Sequence, residues 1–236
     1  MRDLLARPRD AARLLLVSAR LVAGRRFYVA LLLPLAWPLY LFVYALLGGG
    51  EGEPYSPVHA QNLVIGFPLA MLAIGLGVRI IAADAERRTL EIAYTVPGGA
   101  SKAWLFKSAA ALLLLLAAEA LLAVAALVFF TDFPPGALYG ALQAAMFYFA
   151  VAMALSTLFR GEITGSLASA VVLAFGLLLS DARVRFSPFW NPLTLREADP
   201  AELFAWTLQN RVGFVLAIAG LFALTFGRAE RREKML

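Results

Sequence analysis

Six long apolar runs alternate with short polar stretches along this chain, at about Phe27–Leu47, Ala60–Ala82, Trp104–Phe130, Ala137–Phe159, Ile163–Ser180 and Gln209–Phe226. A helix needs roughly 20 apolar residues, at about 1.5 Å each, to cross the hydrocarbon of a bilayer. Spanning segments must satisfy their own backbone hydrogen bonds, so each run is expected to be helical. The expected fold is an all-α polytopic membrane protein with six transmembrane helices, built as a single domain over residues 1–236. Three segments break the pattern: an N-terminal stretch at 1–26, a charged island at 83–103, and an interrupted segment at 181–208.

The N-terminal stretch has helical periodicity. Leu4, Ala11, Leu15 and Val22 share one face, and Arg2, Arg9, Arg13 and Arg20 share another. Such a helix lies in the headgroup layer with its arginines toward anionic lipid. It serves either as a topogenic anchor or as a mechanical element. Its arginines are spread throughout, with no compact apolar region ending in small residues, so no cleavable signal peptide is expected. Within the first span, Pro34 and Pro38 predict a kink. Tyr44 reads as part of an interfacial aromatic belt. Trp37 and Tyr40 stay open between belt and translocation path.

The interrupted segment alternates Phe186, Phe189 and Trp190 with Pro188 and Pro192. It is too apolar for a solvated loop and too broken for a span, which predicts a re-entrant or interfacial piece. Asp199, Pro200 and Glu202 predict a capped helix start that runs on into the last span.

Basic residues set the expected orientation. They concentrate in the N-terminal stretch, around the island (Arg79, Arg87, Arg88, Lys102, Lys107), at Arg160, and in the tail from Arg228 to Lys234. The loops after Gly48 and at 131–136 have none. The positive-inside rule puts both termini in the cytoplasm, in a cytoplasmic (inner) membrane. Arg183, Arg185 and Arg196 are the exception, diluted in a longer outer segment with four acids.

Composition narrows the chemistry. The chain is 61% hydrophobic and 16% charged, against roughly 25% charged in soluble domains; its mean hydropathy is +0.77. There is no cysteine and only one histidine, His59. Disulfides and thiolate chemistry are excluded, and histidine-based metal sites or nucleophilic triads find no material. No catalytic or metal-ligating set is expected. The net charge of +5 reports topology, not nucleic-acid affinity.

The island carries the strongest signal. Asp84 to Tyr94 has mixed charge and no breaker, which predicts a short helix; Pro97-Gly98-Gly99 stops it, and Ser101 is placed to cap the next helix. No GxxxxGK[ST] phosphate loop is present in the chain.

Glu86-Arg87-Arg88-Thr89-Leu90-Glu91, then Pro97 six residues on and Lys107 ten further, resembles the segment between spans two and three of type-two ABC exporter permeases. Arg88 stands where that family has glycine. The six-span layout, the amphipathic N-terminal helix and Asn191-Pro192 in the broken segment fit the same pattern. The resemblance implies that the island is a cytoplasmic coupling helix seated in a separate ATPase. Glu86, Arg87, Arg88, Thr89, Leu90, Glu91, Tyr94, Pro97 and Lys107 are then the coupling residues. Arg160 and Glu162, between spans four and five, form either a second contact with that ATPase or a plain turn. The implied partners are two ABC ATPase subunits, which supply ATP and magnesium, and a second permease, either another copy of this chain or a similar one. Membrane lipids surround the pair, no nucleic acid is involved, and this chain itself holds no cofactor. Spans one, two and five line the implied path. Phe186, Phe189, Trp190, Asn191 and Pro192 become candidates for an extracytoplasmic gate. The scarcity of fixed charge in the spans favours a lipid-like or amphipathic cargo.

One acid lies deep in a span. Glu119 is twelve residues beyond Lys107, about 18 Å along a helix. It either pairs with a neighbouring helix, with Gln143 as the candidate partner, or contacts substrate or protons. It joins Trp37, Tyr40 and Gln143 as a translocation-path candidate. Arg79 is expected to snorkel to the inner surface. The alternative function is a proton-coupled secondary carrier using Glu119. Such carriers often show paired internal repeats, and none is evident here. An intramembrane enzyme ranks last, since its catalytic groups are missing.

Overall fold

The computed structural model describes residues 8–49, 55–86, 89, 99–178, 186–195 and 199–230. Among the described residues every regular element is helical. An amphipathic helix α1 (Pro8–Ala23) precedes α2 (Phe27–Leu46), α3 (Pro57–Glu86), α4 (Ala100–Phe129), α5 (Pro135–Phe159), α6 (Glu162–Leu178) and α7 (Pro200–Ala229). Five of these, α2 to α5 and α7, are long and apolar enough to cross a membrane, and α6 is a shorter apolar helix. The chain is a multi-pass membrane protein.

The helices run up and down. Arg79 near the end of α3 bonds the Val22 carbonyl of α1 and the Glu162 carboxylate of α6. Ser101 at the start of α4 bonds Glu230 after α7. These ties gather the end of α1, the α3–α4 connection, the α5–α6 hairpin and the end of α7 at one end of the bundle. That end is called the basic end below. The connection at residues 131–134 and the segment 186–195 lie toward the other.

α5 is the hub, packed on by α3, α6, α7 and α4. Small residues make this possible. Ala70 and Ala73 on α3 and Ala144, Ala145 and Ala152 on α5 are all buried. A Cβ at Gly77 would stand 2.5 Å from the Phe149 carbonyl oxygen. Between spanning helices there is no water to expel, so close van der Waals contact supplies the association, and small residues allow it. α2 and α7 bury only 17% of their apolar windows, as expected of helices that face lipid on most sides.

Several local expectations are corrected. Pro34 resolves as a 3-10 turn over Leu33–Leu35 inside α2, since a proline ring and missing N–H cannot continue the α ladder. α3 begins at Pro57 rather than Ala60 and opens into a π-helical stretch, Ala60–Gly66, just before Pro68. α4 starts at Ala100 with Gly99 as its N-cap at φ +81. Ser101 therefore lies inside the first turn and does not cap. Asp199 occupies the N-cap of α7 and Pro200 its first position, but the side-chain bonds of a capping box do not form. α7 then runs unbroken for 30 residues, so residues 200–208 belong to it and not to the interrupted segment. Of the expected helix over Asp84–Tyr94, residues 87, 88 and 90–94 lie outside the described residues. A helical turn covers Ala82–Glu86 and Thr89 lies outside it. Both the N–H and the hydroxyl of Thr89 donate to the Asp84 carbonyl, at 2.9 and 3.3 Å, which closes the turn.

α1 bears out its predicted amphipathicity at the positions whose side chains are described. Arg13 and Arg20 are exposed, Val22 is buried and Leu15 half-buried. The helix packs along α4.

Candidate functional site

The basic end holds a charge cluster built from four helices. Lys107, in the second turn of α4, places its Nζ 2.6 and 2.8 Å from the two carboxylate oxygens of Asp84 and 3.4 Å from the Ile80 carbonyl. The pair is largely enclosed, with side-chain exposures of 10% and 18%. Glu86 reaches across to α6 and accepts the Glu162 backbone N–H at 2.6 Å. That bond satisfies an orphan donor at the first turn of α6 and sets a carboxylate against the positive end of its dipole. The Glu162 carboxylate accepts from Arg79 Nε at 3.3 Å, while Arg79 Nη1 donates to the Val22 carbonyl at 3.1 Å.

The α5–α6 hairpin fits this cluster for sequence-specific reasons. Arg160 caps α5 in the left-handed region at φ +57, and its side chain is exposed. Gly165 allows α6 to touch α5, since a Cβ there would sit 2.5 Å from the Ser156 Cα. The island is thus held at both ends. Asp84 and Glu86 fix its entry to α4 and α6, and Ser101 fixes its exit to the end of α7.

Of the candidate coupling residues, Glu86, Thr89, Lys107 and Glu162 gather in this cluster, and Arg160 lies exposed on the adjoining hairpin. Arg87, Arg88, Leu90, Glu91, Tyr94 and Pro97 lie outside the described residues. Arg79 does not simply snorkel, because Glu162 and the Val22 carbonyl hold it within the protein. Asp84 and Arg79 are the members that residue spacing did not single out. The available signal was a cation and an acid just inside the polar boundary of an apolar run.

The second arrangement is the interrupted segment. Phe189, Trp190 and Asn191 are buried, Pro192 is half-buried, and Phe186 is exposed. The Phe189 ring packs 5.8 Å from the Tyr148 ring. Tyr148 lies thirteen residues into α5, about 20 Å along it. The segment therefore packs into the helix bundle against α5; its composition predicts a re-entrant or interfacial piece. Its backbone is satisfied by side chains from the helices. Gln61 Nε2 donates to the Trp190 carbonyl and Asn210 Nδ2 to the Ser187 carbonyl, both at 3.0 Å. Trp190 Nε1 donates to Thr207 at 3.3 Å. Gly66, in the π-helical stretch, makes room, with the Phe189 ring 3.4 Å from where its Cβ would be. Irregular backbone is tolerated at membrane depth only when protein completes it in this way. Gln61 and Asn210 were missed from sequence; single amides in apolar runs were the signal.

The four path candidates do not converge. Trp37 lines an apolar groove of about 550 Å³ between α2 and α3, with Phe67 and Met71 along it and Arg79 at one end. Its Nε1 donates to the Leu63 carbonyl at 3.0 Å. Tyr40 stacks on Trp37 but is 56% exposed and does not line that groove. Gln143 donates to Asn210 Oδ1 at 3.1 Å, not to Glu119, and lines a separate pocket of about 330 Å³ against α7. The expected Glu119–Gln143 pair is corrected accordingly: the Gln143 amide N–H is given to Asn210 Oδ1. Glu119 is 6% exposed, and its Oε1 has no hydrogen-bond partner among the described residues. No group of three or more potential metal ligands occurs among the described residues.

Comparison with family models, with curated proteins and with solved structures returns no match to this chain.

Proposed function

We propose that the chain is the permease subunit of an ATP-driven exporter. Two copies, or this chain and a similar permease, form the membrane path, and two separate ATPase subunits bind ATP and magnesium beneath them. The observation that carries the reading is the double anchoring of the island. A surface loop that only solvated its charges needs no buried Lys107–Asp84 pair at its base and no Glu86 bond to a third helix. Anchored in this way, a push on the island reaches α3, α4, α6 and, through Arg79, α1. The resemblance to type-two exporter permeases supports the same division of labour.

In this reading α6 also crosses the membrane, as the fifth of six spans. At 17 residues it is about 25 Å long, close to the hydrocarbon thickness of about 30 Å. The basic end faces the cytoplasm of the inner membrane with both termini. The groove between α2 and α3, apolar along its length, suits a lipid-like or amphipathic cargo.

The test is co-expression with an ATPase carrying a phosphate loop, followed by purification and assay of hydrolysis. Glu91→Arg is expected to weaken association or abolish cargo-stimulated hydrolysis. Unchanged association and hydrolysis would contradict the proposal.

A proton-coupled carrier is the second reading, favoured by one observation. Glu119 is buried with an unpartnered oxygen between alanines, and an intramembrane acid of that kind is a standard proton carrier.

A further inference from the structure

A pocket of about 240 Å³ opens where the interrupted segment meets the first turn of α5 and the middle of α7. Its polar side chains are Gln61, Tyr139, Asn191, Thr207 and Arg211, and the Gln61 amide N–H is already given to the Trp190 carbonyl. Arg211 lies on α7, about 16 Å from its start at Pro200, and its guanidinium sits 4.9 Å from the Tyr139 ring centroid. Arg211 Nη1 is buried and has no hydrogen-bond partner among the described residues. Asn191 is 2% exposed and lines the same pocket. Its Oδ1 accepts the Leu193 N–H at 3.0 Å, which fixes the orientation of the amide. The Nδ2 end is therefore the free one, and it too is buried without a partner among the described residues. Gly136 and Ala137 belong to the lining, so the first turn of a 25-residue helix adds the Gly136 N–H and its positive dipole end, while the Ala137 N–H is already bonded to the Pro134 carbonyl at 2.9 Å. Thr207 also lines the pocket, but its hydroxyl is engaged with Trp190 and the Leu203 carbonyl. Among the described residues no acidic side chain lines the pocket.

A half-buried arginine with an enclosed, unpaired Nη1, a buried amide donor and a helix N-terminus facing one cavity each carry a cost when unmatched. One oxyanion would satisfy all three. We infer that this pocket, where the interrupted segment meets α5 and α7, binds a single oxyanion of phosphate type, carried on a lipid head group or free in solution. Arg211 supplies the countercharge, with the Tyr139 ring holding its plane. Asn191 and the first turn of α5 supply neutral donors. The site lies at the end of the bundle opposite the Arg79–Lys107 cluster, and its binding requires neither nucleotide nor a second subunit.

The test is calorimetric titration of the purified full chain in phosphate-free maltoside micelles, with inorganic phosphate and with a short-chain phosphatidic acid as separate titrants. Saturable binding of either is expected, and Arg211→Gln is expected to weaken it about tenfold or more, the loss of one charge-assisted contact. Asn191→Asp keeps the acceptor for Leu193 and replaces the free donor by a negative charge, so it removes binding without disturbing the turn. It keeps the test decisive should Arg211→Gln not fold. Binding of both titrants assigns recognition to the head group alone. Binding of phosphatidic acid only assigns a lipid, and binding of phosphate only assigns a soluble anion. Saturation by neither titrant, or Asn191→Asp binding like the native chain, would overturn the inference.

Discussion

Replacing Lys107 by methionine removes the cation from the base of the island while keeping the length and apolar stem of the side chain. Asp84 is left with its carboxylate largely enclosed and without its cation. Removing one partner of a buried pair costs about 3–5 kcal/mol, because the other charge is stranded. The side chains here retain 10% and 18% exposure, so the lower end, about 3 kcal/mol, applies. Asp84→Asn strands the ammonium in the same way and costs a similar amount. The double variant removes both charges, and its cost is expected to fall short of the sum of the singles by about 2 kcal/mol or more. Equilibrium unfolding in mixed micelles, run on all four proteins, reads the cycle directly. Additivity within about 0.5 kcal/mol would refute the argument that this pair anchors the island.

Further tests address the rest of the bundle. A Cβ at Gly176 would fall 2.0 Å from Tyr148 Oη, and with the hydroxyl gone the nearest atom is 3.4 Å away. Gly176→Ala is therefore expected to destabilise by about 1–3 kcal/mol, and adding Tyr148→Phe should recover most of the loss; no recovery would mean the two helices do not meet there. Asn210→Ala orphans both Gln143 Nε2 and the Ser187 carbonyl, at about 1 kcal/mol each. The interrupted segment should loosen, read as faster amide exchange at Phe189 and Trp190. Glu119→Gln separates the two functional readings: the exporter keeps ATP-dependent transport, whereas a proton-coupled carrier loses its driving step.

The helical membrane fold was legible because hydrophobic runs of spanning length leave the backbone no other choice. That the interrupted segment is no solvated loop was legible from Phe189 and Trp190 set among prolines, and both are buried. The edges were less so. Ser101 lost the capping position because α4 starts one residue before it, after Gly99, whose positive φ a glycine takes without strain. Thr89 closed the island's first turn because its hydroxyl and N–H share one carbonyl, a competition that mixed charge and helix propensity do not reveal. The candidate site was half legible. Lys107 and Glu86 stood out by position, but their partners Asp84 and Glu162 were fixed by which helix ends come together, and that depends on packing through Gly77 and Gly165. Gln143 was assigned to Glu119 by proximity in imagined spans; the register of α5 on α7 gives it to Asn210 instead.

The most direct test of the central claim is transport in liposomes, with the purified chain reconstituted with and without its ATPase. The account predicts cargo movement only when the ATPase subunits and ATP are both present, and its loss when island contacts to the ATPase are reversed in charge. Cargo movement by the chain alone, without nucleotide, would contradict it.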